Sequence, residues 1–93
     1  MTRPLLQQAS DELRQASELA PADATERIYE QSNQLAKLAT ADRGPDHGRL
    51  ARHTNALAEV ANDLDAADAD DAASHVRAAR SLISEYREDL PGV

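Results

Sequence analysis

The residues best suited to chemistry lie together in the middle of the chain. Three arginines and two histidines fall within eleven positions, and they are Arg43, His47, Arg49, Arg52 and His53. Guanidinium and imidazole groups donate hydrogen bonds to carboxylates and other anions, and a nearby helix N-terminus adds partial positive charge. The segment therefore predicts a surface that binds an anionic group of a partner.

A structural role for the same side chains is the alternative. Residues 42–53 contain three arginines and two aspartates, a net charge of +1, whereas the whole chain carries −7. Arginines of an acidic protein commonly pair with carboxylates of neighbouring helices, and such exposed pairs contribute little. The spacing alone leaves both interpretations open.

Neither a metal site nor a catalytic centre is predicted. His47 and His53 are six residues apart, so they do not share a helix face as i,i+4 ligands would. No serine lies in a G-x-S-x-G motif, the three glycines form no phosphate loop, and cysteine is absent from the sequence. We expect a protein that is not an enzyme and that uses no metal or cofactor.

A helix-turn-helix is the alternative function. The helix that follows Gly44-Pro45 begins with Arg49, Arg52 and His53, which is where a recognition helix would carry its base contacts. However, the turn is long and holds two aspartates, and the charge of −7 repels phosphates. We therefore expect a protein partner, either another protein or a second copy of this chain, rather than nucleic acid.

Apolar residues recur at helical spacing along almost the whole chain, and no segment alternates with a period of two. The pattern predicts helices over about 4–20, 23–41, 46–64 and 68–90. Pro21, Gly44-Pro45 and Pro91-Gly92 separate or end them, and a turn near 65–68 is preferred to one continuous helix from 50 to 90. The predicted fold is an all-α, four-helix up-down bundle of two αα-hairpins, with residues 1–93 as a single helical domain.

Details of capping and packing follow from the same pattern. Asp23 and Asp46 are predicted to cap the second and third helices, and Gly44 to close the second in a left-handed conformation. The second and third helices are expected to pair directly as an αα-hairpin. In the first helix Leu5 is placed on the buried stripe, with Leu6 at its margin. The inward residues predicted in the other helices are Ile28, Ser32, Leu35, Leu38, Ala39, Leu50, Leu57, Val60 or Ala61, Leu64, Ala72, Val76, Ala79, Ile83, Tyr86 and Leu90.

The charged residues indicate a habitat. Aspartate outnumbers glutamate, and Lys37 is the single lysine beside nine arginines. This choice, with a net charge of −7, is typical of proteins that stay hydrated in concentrated salt. No apolar run reaches the roughly 20 residues that cross a bilayer, and no signal peptide pattern opens the sequence. We expect a cytoplasmic protein of a high-salt cell.

Two segments carry a resemblance to known sequences. They are residues 30–53, EQSNQLAKLATADRGPDHGRLARH, and residues 83–87, ISEYR. Together they resemble a family of small uncharacterised acidic helical proteins of halophilic archaea, and the similarity extends over most of the chain. The resemblance implies adaptation to salt and carries no assigned activity or site residue.

Overall fold

The computed structural model describes residues 3–90 and contains four α-helices in that range. They are α1 (Pro4–Leu19), α2 (Ala22–Thr40), α3 (His47–Ala66) and α4 (Asp70–Glu88). No strand occurs between residues 3 and 90. The predicted all-α four-helix bundle is confirmed. Pro91-Gly92, predicted to end α4, lie outside the described residues.

The helices pack in a spatial order that differs from their order along the chain. α1 packs along both α2 and α4, and α4 packs along α3, whereas α2 and α3 make only sparse contact. The bundle therefore consists of an α1–α2 hairpin and an α3–α4 hairpin that meet through α1 and α4. The expected direct pairing of α2 with α3 is not found, because the facing residues between them are mostly polar. One side of the bundle is left open.

The core confirms most of the predicted inward positions. Leu6 is fully buried and Leu5 is only half-buried, so the prediction for this pair was wrong. Leu6 belongs to a stripe with Ala9, Leu13 and Ala16, whereas Leu5 lies about 100° around the helix from Leu6. The buried apolar residues elsewhere are Ile28, Leu35, Leu38, Ala39, Leu50, Leu57, Val60, Ala61, Leu64, Ala72, Ala73, Val76, Ala79 and Ile83. Tyr86 and Leu90 pack at the margin of this core and are half-buried.

Small residues allow α1 and α2 to approach closely. Ser10 and Ser32 are both fully buried at this contact. The Ser10 hydroxyl donates to the carbonyl oxygen of Ser32 at 2.8 Å, and the Ser32 hydroxyl donates to that of Tyr29 at 2.6 Å. Ser32 thus has the inward position that the sequence predicts.

The C-terminus of α2 is capped from the start of α1. The backbone N–H of Arg3 donates to the carbonyl oxygen of Ala39 at 2.8 Å, and its guanidinium reaches the carbonyls of Leu38 and Ala41. Gly44 is not left-handed, which corrects the prediction. Arg3 performs the closing role instead, and a Cβ on Gly44 would lie 3.2 Å from Nε and Nη2 of Arg3. Gly44 therefore provides space for Arg3.

The two predicted N-caps have different outcomes. Asp46 caps α3, because its Oδ1 accepts the backbone N–H of Arg49 at 2.8 Å. Asp23 does not cap α2: the N-cap is Pro21, and Asp23 lies within the first turn. There its negative charge still complements the positive end of the helix dipole.

A turn separates α3 from α4, as predicted in preference to a continuous helix. The backbone N–H of Ala69 donates to the carbonyl of Leu64 at 2.8 Å, and that of Asp68 to the carbonyl of Asp65 at 3.1 Å. This pair of bonds is a Schellman motif, with Asp68 at the position that glycine usually takes. Asp68 accordingly has φ 59°. Arg77 on α4 donates two hydrogen bonds to the Asp65 carboxylate, which lowers the pKa of Asp65.

Candidate functional site

A cleft of about 540 Å³ lies on the open side of the bundle, between α2 and α3. Its lining is predominantly polar. The lining residues are Gln31 and Gln34 of α2, Asp46 at the N-cap of α3, and Arg49, Arg52, His53 and Ala56 of α3. Three of the five site residues predicted from the sequence therefore line one cavity.

His53 forms the most buried part of this lining. Its side chain is 6 % exposed, and its Nδ1 lies 2.7 Å from Oε1 of Gln31 across the cleft. An amide oxygen only accepts hydrogen bonds, so Nδ1 carries the proton and Nε2 is the unprotonated nitrogen of the neutral ring. Burial lowers the pKa of His53, and the positive charges of Arg49 and Arg52 lower that pKa further.

Arg49 and Arg52 do not take part in the ion pairs that the described residues form. Within the described range the ion pairs are Arg27–Asp63, Arg77–Asp65 and His75–Glu12. Arg49 and Arg52 are in none of these pairs, and both are exposed. The pairing with neighbouring carboxylates that the structural interpretation expects is therefore not found for these two arginines among residues 3–90.

One backbone N–H group at the N-terminus of α3 already has a carboxylate partner. Asp46 already places a carboxylate oxygen on the Arg49 backbone N–H. The cleft lining therefore contains two guanidinium groups and one carboxylate, together with the neutral His53.

The other two predicted residues lie elsewhere. His47 lines a separate depression with Ser84, Arg87 and Glu88 of α4, and Arg43 is exposed in the loop and is not part of the cleft lining. His47 and His53 are six residues apart, about 240° around α3, which explains the separation. Three of the five predicted residues therefore lie together in the cleft, Arg43 and His47 lie outside its lining, and the binding of a partner by these residues stays a prediction.

Sequence reasoning missed the contribution of α2. Gln31 and Gln34 are three residues apart, so they share a helix face. This face borders the buried stripe of Ile28, Ser32 and Leu35. Two glutamines beside a core stripe, where a packed helix would carry apolar residues, are the signal that identifies the open side.

Neither a cluster of metal ligands nor a membrane-spanning helix occurs in residues 3–90. In residues 3–90 no three histidine, aspartate or glutamate side chains are grouped so that they could hold a metal ion. None of the four helices in this range is long and apolar enough to cross a membrane.

The fold and the cleft define a small four-helix bundle with a polar, arginine-bearing groove where two helices fail to pack. A family model described as a family of unknown function, DUF7553, matches residues 1–89, and the chain belongs to this family. No match to the chain is found among curated proteins or among solved structures. The expected membership in a family without assigned function is confirmed, and the family supplies no site residue.

Proposed function

We propose that this protein is a non-enzymatic interaction module that holds a carboxylate-bearing segment of another protein in the α2–α3 cleft. The observation that carries the proposal is the pair of arginines, Arg49 and Arg52. They flank the buried His53 in the cleft and have no ion-pair partner within residues 3–90.

The chemistry of the lining fits a carboxylate. Guanidinium groups bind carboxylates through two parallel hydrogen bonds, and the bonds are stronger than neutral ones because both partners are charged. Gln31 and Gln34 add amide groups on the facing helix, where a peptide backbone could be held. The cleft therefore offers charged and neutral hydrogen bonds to one extended or helical segment.

The charge of the rest of the molecule adds selectivity. The chain carries −7 overall, so an acidic partner is repelled from most of its surface. An electrostatic potential of this kind orients the encounter of two proteins and suppresses contacts at the wrong surface, and these effects are larger than its contribution to affinity. An acidic segment would thus be directed to the neighbourhood of Arg49 and Arg52.

A role in concentrated salt, in the cytoplasm, is part of the same proposal and is supported by the composition alone. Salt screens exposed charge pairs strongly and partly enclosed pairs much less. A cleft is therefore a better place than an open surface for recognition of a carboxylate under such conditions.

Nucleic acid is the less favoured ligand. In a helix-turn-helix protein the second helix presents its side chains to the major groove. Here Arg49, Arg52 and His53 line a cleft between α2 and α3. His53 is 6 % exposed and hydrogen-bonded to Gln31, so it is not presented to a duplex.

The proposal can be tested by site-specific photo-crosslinking in the native cells. A photoreactive amino acid replaces Gln34 in the cleft, and a control protein carries it at Glu18, which is exposed on α1. We expect position 34 to capture a defined protein through a segment rich in aspartate and glutamate. Sequencing of the crosslinked peptide identifies both the partner and the segment.

Two charge-matched variants complete the test. Arg49→Ala/Arg52→Ala should abolish the crosslink, whereas Arg14→Ala/Arg43→Ala, which removes the same charge outside the cleft, should preserve it. Circular dichroism verifies that both variants fold. Equal capture by both variants, a crosslink to nucleic acid, a crosslink to a second copy of this chain, or a captured segment without carboxylates would contradict the proposal.

A further inference from the structure

We infer that the α2–α3 cleft takes up one proton at His53 when a carboxylate binds between Arg49 and Arg52, so that capture of an acidic partner depends on pH. This inference rests on the proposed function, because it concerns the regulation of the same cleft.

The geometry of the His53 ring leaves one of its two nitrogens for a ligand. Nδ1 of His53 is held by Oε1 of Gln31 at 2.7 Å, which fixes the ring against α2. Nε2 is then the nitrogen that remains for a ligand in the cleft that His53 lines. A neutral ring offers a lone pair at Nε2, and a protonated ring offers an N–H donor there. With the Gln31 amide oxygen facing Nδ1, as it does in this structure, the ring must be protonated at both nitrogens to donate to a bound carboxylate and keep its bond to Gln31.

The charged groups that line the cleft beside the His53 ring are mostly positive. On α3 these are Arg49 and Arg52, and Asp46 at the N-cap lines the same cleft. The facing helix α2 contributes only the neutral Gln31 and Gln34 to the lining. In the empty cleft, burial and the two arginines together oppose a positive charge on His53.

A bound carboxylate would raise the proton affinity of His53. A carboxylate that binds Arg49 and Arg52 compensates their charges, and as an acceptor for Nε2–H it offsets the cost of burying a charged ring. The proton comes from solvent, and no covalent bond changes. By linkage, a ligand that raises the proton affinity of a group binds more tightly when that group is protonated.

The direction of the pH effect follows from this linkage. Affinity should rise as the pH falls through the range where the bound ring is protonated and the free ring is not. With one proton taken up, the affinity changes by at most about tenfold per pH unit. Below the range in which the free ring titrates, the affinity becomes independent of pH.

Isothermal titration calorimetry gives a direct measurement. The probe is a hexaglutamate peptide with blocked ends, used between pH 6.0 and 8.0, where its carboxylates are almost fully ionised because glutamate titrates near 4.3 and neighbouring carboxylates raise that pKa only slightly in concentrated salt. Each titration is run in two buffers with different heats of ionisation, at a KCl concentration that keeps the protein folded. We expect proton uptake that approaches one per peptide, and an affinity that rises severalfold from pH 8.0 to pH 6.0.

The control variant is His53→Asn. Its side-chain amide can still donate to Gln31, but it does not titrate. We expect it to bind the peptide without proton uptake and with an affinity that is independent of pH. A second readout follows the His53 ring protons by NMR, and saturating peptide should move their titration midpoint to higher pH.

The outcomes separate this inference from the proposed function. Binding that needs Arg49 and Arg52 but releases or absorbs no proton overturns the inference and leaves the proposed function standing. Absence of binding of both the peptide and free N-acetylglutamate at every pH overturns both. A third arm uses free N-acetylglutamate. If it binds with proton uptake and the peptide does not, the inference stands and the protein nature of the partner is contradicted.

Discussion

Nη1 of Arg3 lies 2.7 Å from the carbonyl oxygen of Ala41, although the two residues are 38 positions apart. The same nitrogen donates to the carbonyl of Leu38 at 2.9 Å. The last carbonyl groups of a helix lack partners within the helix and carry partial negative charge. One guanidinium at the start of α1 therefore satisfies the end of α2 and joins the two ends of this hairpin.

Removal of that guanidinium should destabilise the fold. We expect Arg3→Ala to lower the free energy of unfolding by about 1–2 kcal/mol, because two charged hydrogen bonds to half-buried carbonyls are lost. Urea denaturation followed by circular dichroism measures the change. Arg14→Ala is the matched control, since Arg14 is exposed on α1. Equal effects of the two substitutions would show that Arg3 acts only through its charge.

Gly44 and Arg3 should be energetically coupled. Gly44 has an ordinary φ, so Gly44→Ala reduces the freedom of the unfolded chain and by itself stabilises by about 0.4–1 kcal/mol. In the native protein the new Cβ meets Arg3 at 3.2 Å, which should cancel this gain. We expect the gain to emerge only in the Arg3→Ala background. A double-mutant cycle measures the coupling, and additive effects would refute it.

The turn between α3 and α4 offers a stabilising substitution. Asp68 has φ 59°, a conformation in which the Cβ of an L-residue is strained and glycine is not. Asp68→Gly should raise the free energy of unfolding by about 0.5 kcal/mol, because it removes this strain and a negative charge near the C-terminus of α3. Asp68→Ala keeps the strain and should give a smaller gain or a loss. Thermal or urea unfolding of both variants compares them, and a larger gain for alanine would contradict this account.

His53 predicts how stability depends on pH. Its pKa is lowered in the folded state from about 6.5, so just below pH 6.5 the unfolded chain binds more protons than the folded chain. The free energy of unfolding should therefore fall as the pH is lowered from about 6.5 to the folded pKa of His53, and this contribution is constant above and below that window. Urea denaturation between pH 5 and 8 measures the slope. The part due to His53 should vanish in His53→Asn, and an unchanged slope in that variant would assign the effect to other groups.

Salt should affect the helix content. A net charge of −7 on a small chain repels itself, and the repulsion grows as the Debye length rises from about 10 Å at 0.1 M salt to about 30 Å at 0.01 M. The core is formed by small and medium-sized apolar residues. Their burial therefore provides little stabilising free energy beyond what folding requires, and little to oppose this repulsion. We expect the helical circular dichroism signal to fall as KCl is removed. Full helicity in dilute buffer would count against adaptation to salt.

The helices were predictable because their ends are marked by local signals. Pro21 cannot continue α1, Pro45 cannot continue α2, and Asp46 supplies the oxygen that the first turn of α3 needs. These effects act over a few residues and do not depend on the rest of the fold. The same holds for Ser32, whose place on the helical stripe is set by periodicity.

The open side was not predictable in this way. The sequence indicates which face of each helix is apolar, but the choice of neighbours depends on all four helices at once. Adjacent helices in the chain were therefore expected to pair, whereas α2 and α3 do not. The separation of His47 from His53 was predictable, because the helical period alone places them on different faces of α3.

The arrangement of the two hairpins has a mechanical consequence. They meet through α1 and α4, and α2 and α3 lie at the outer edges of this contact. A small rotation about the α1–α4 interface therefore changes the distance between α2 and α3 more than any other spacing in the bundle. In the part of the chain described, the side-chain hydrogen bonds that join α2 to α3 are Gln31–His53 and Arg27–Asp63. The width of the cleft therefore depends on two side-chain contacts rather than on a packed apolar interface.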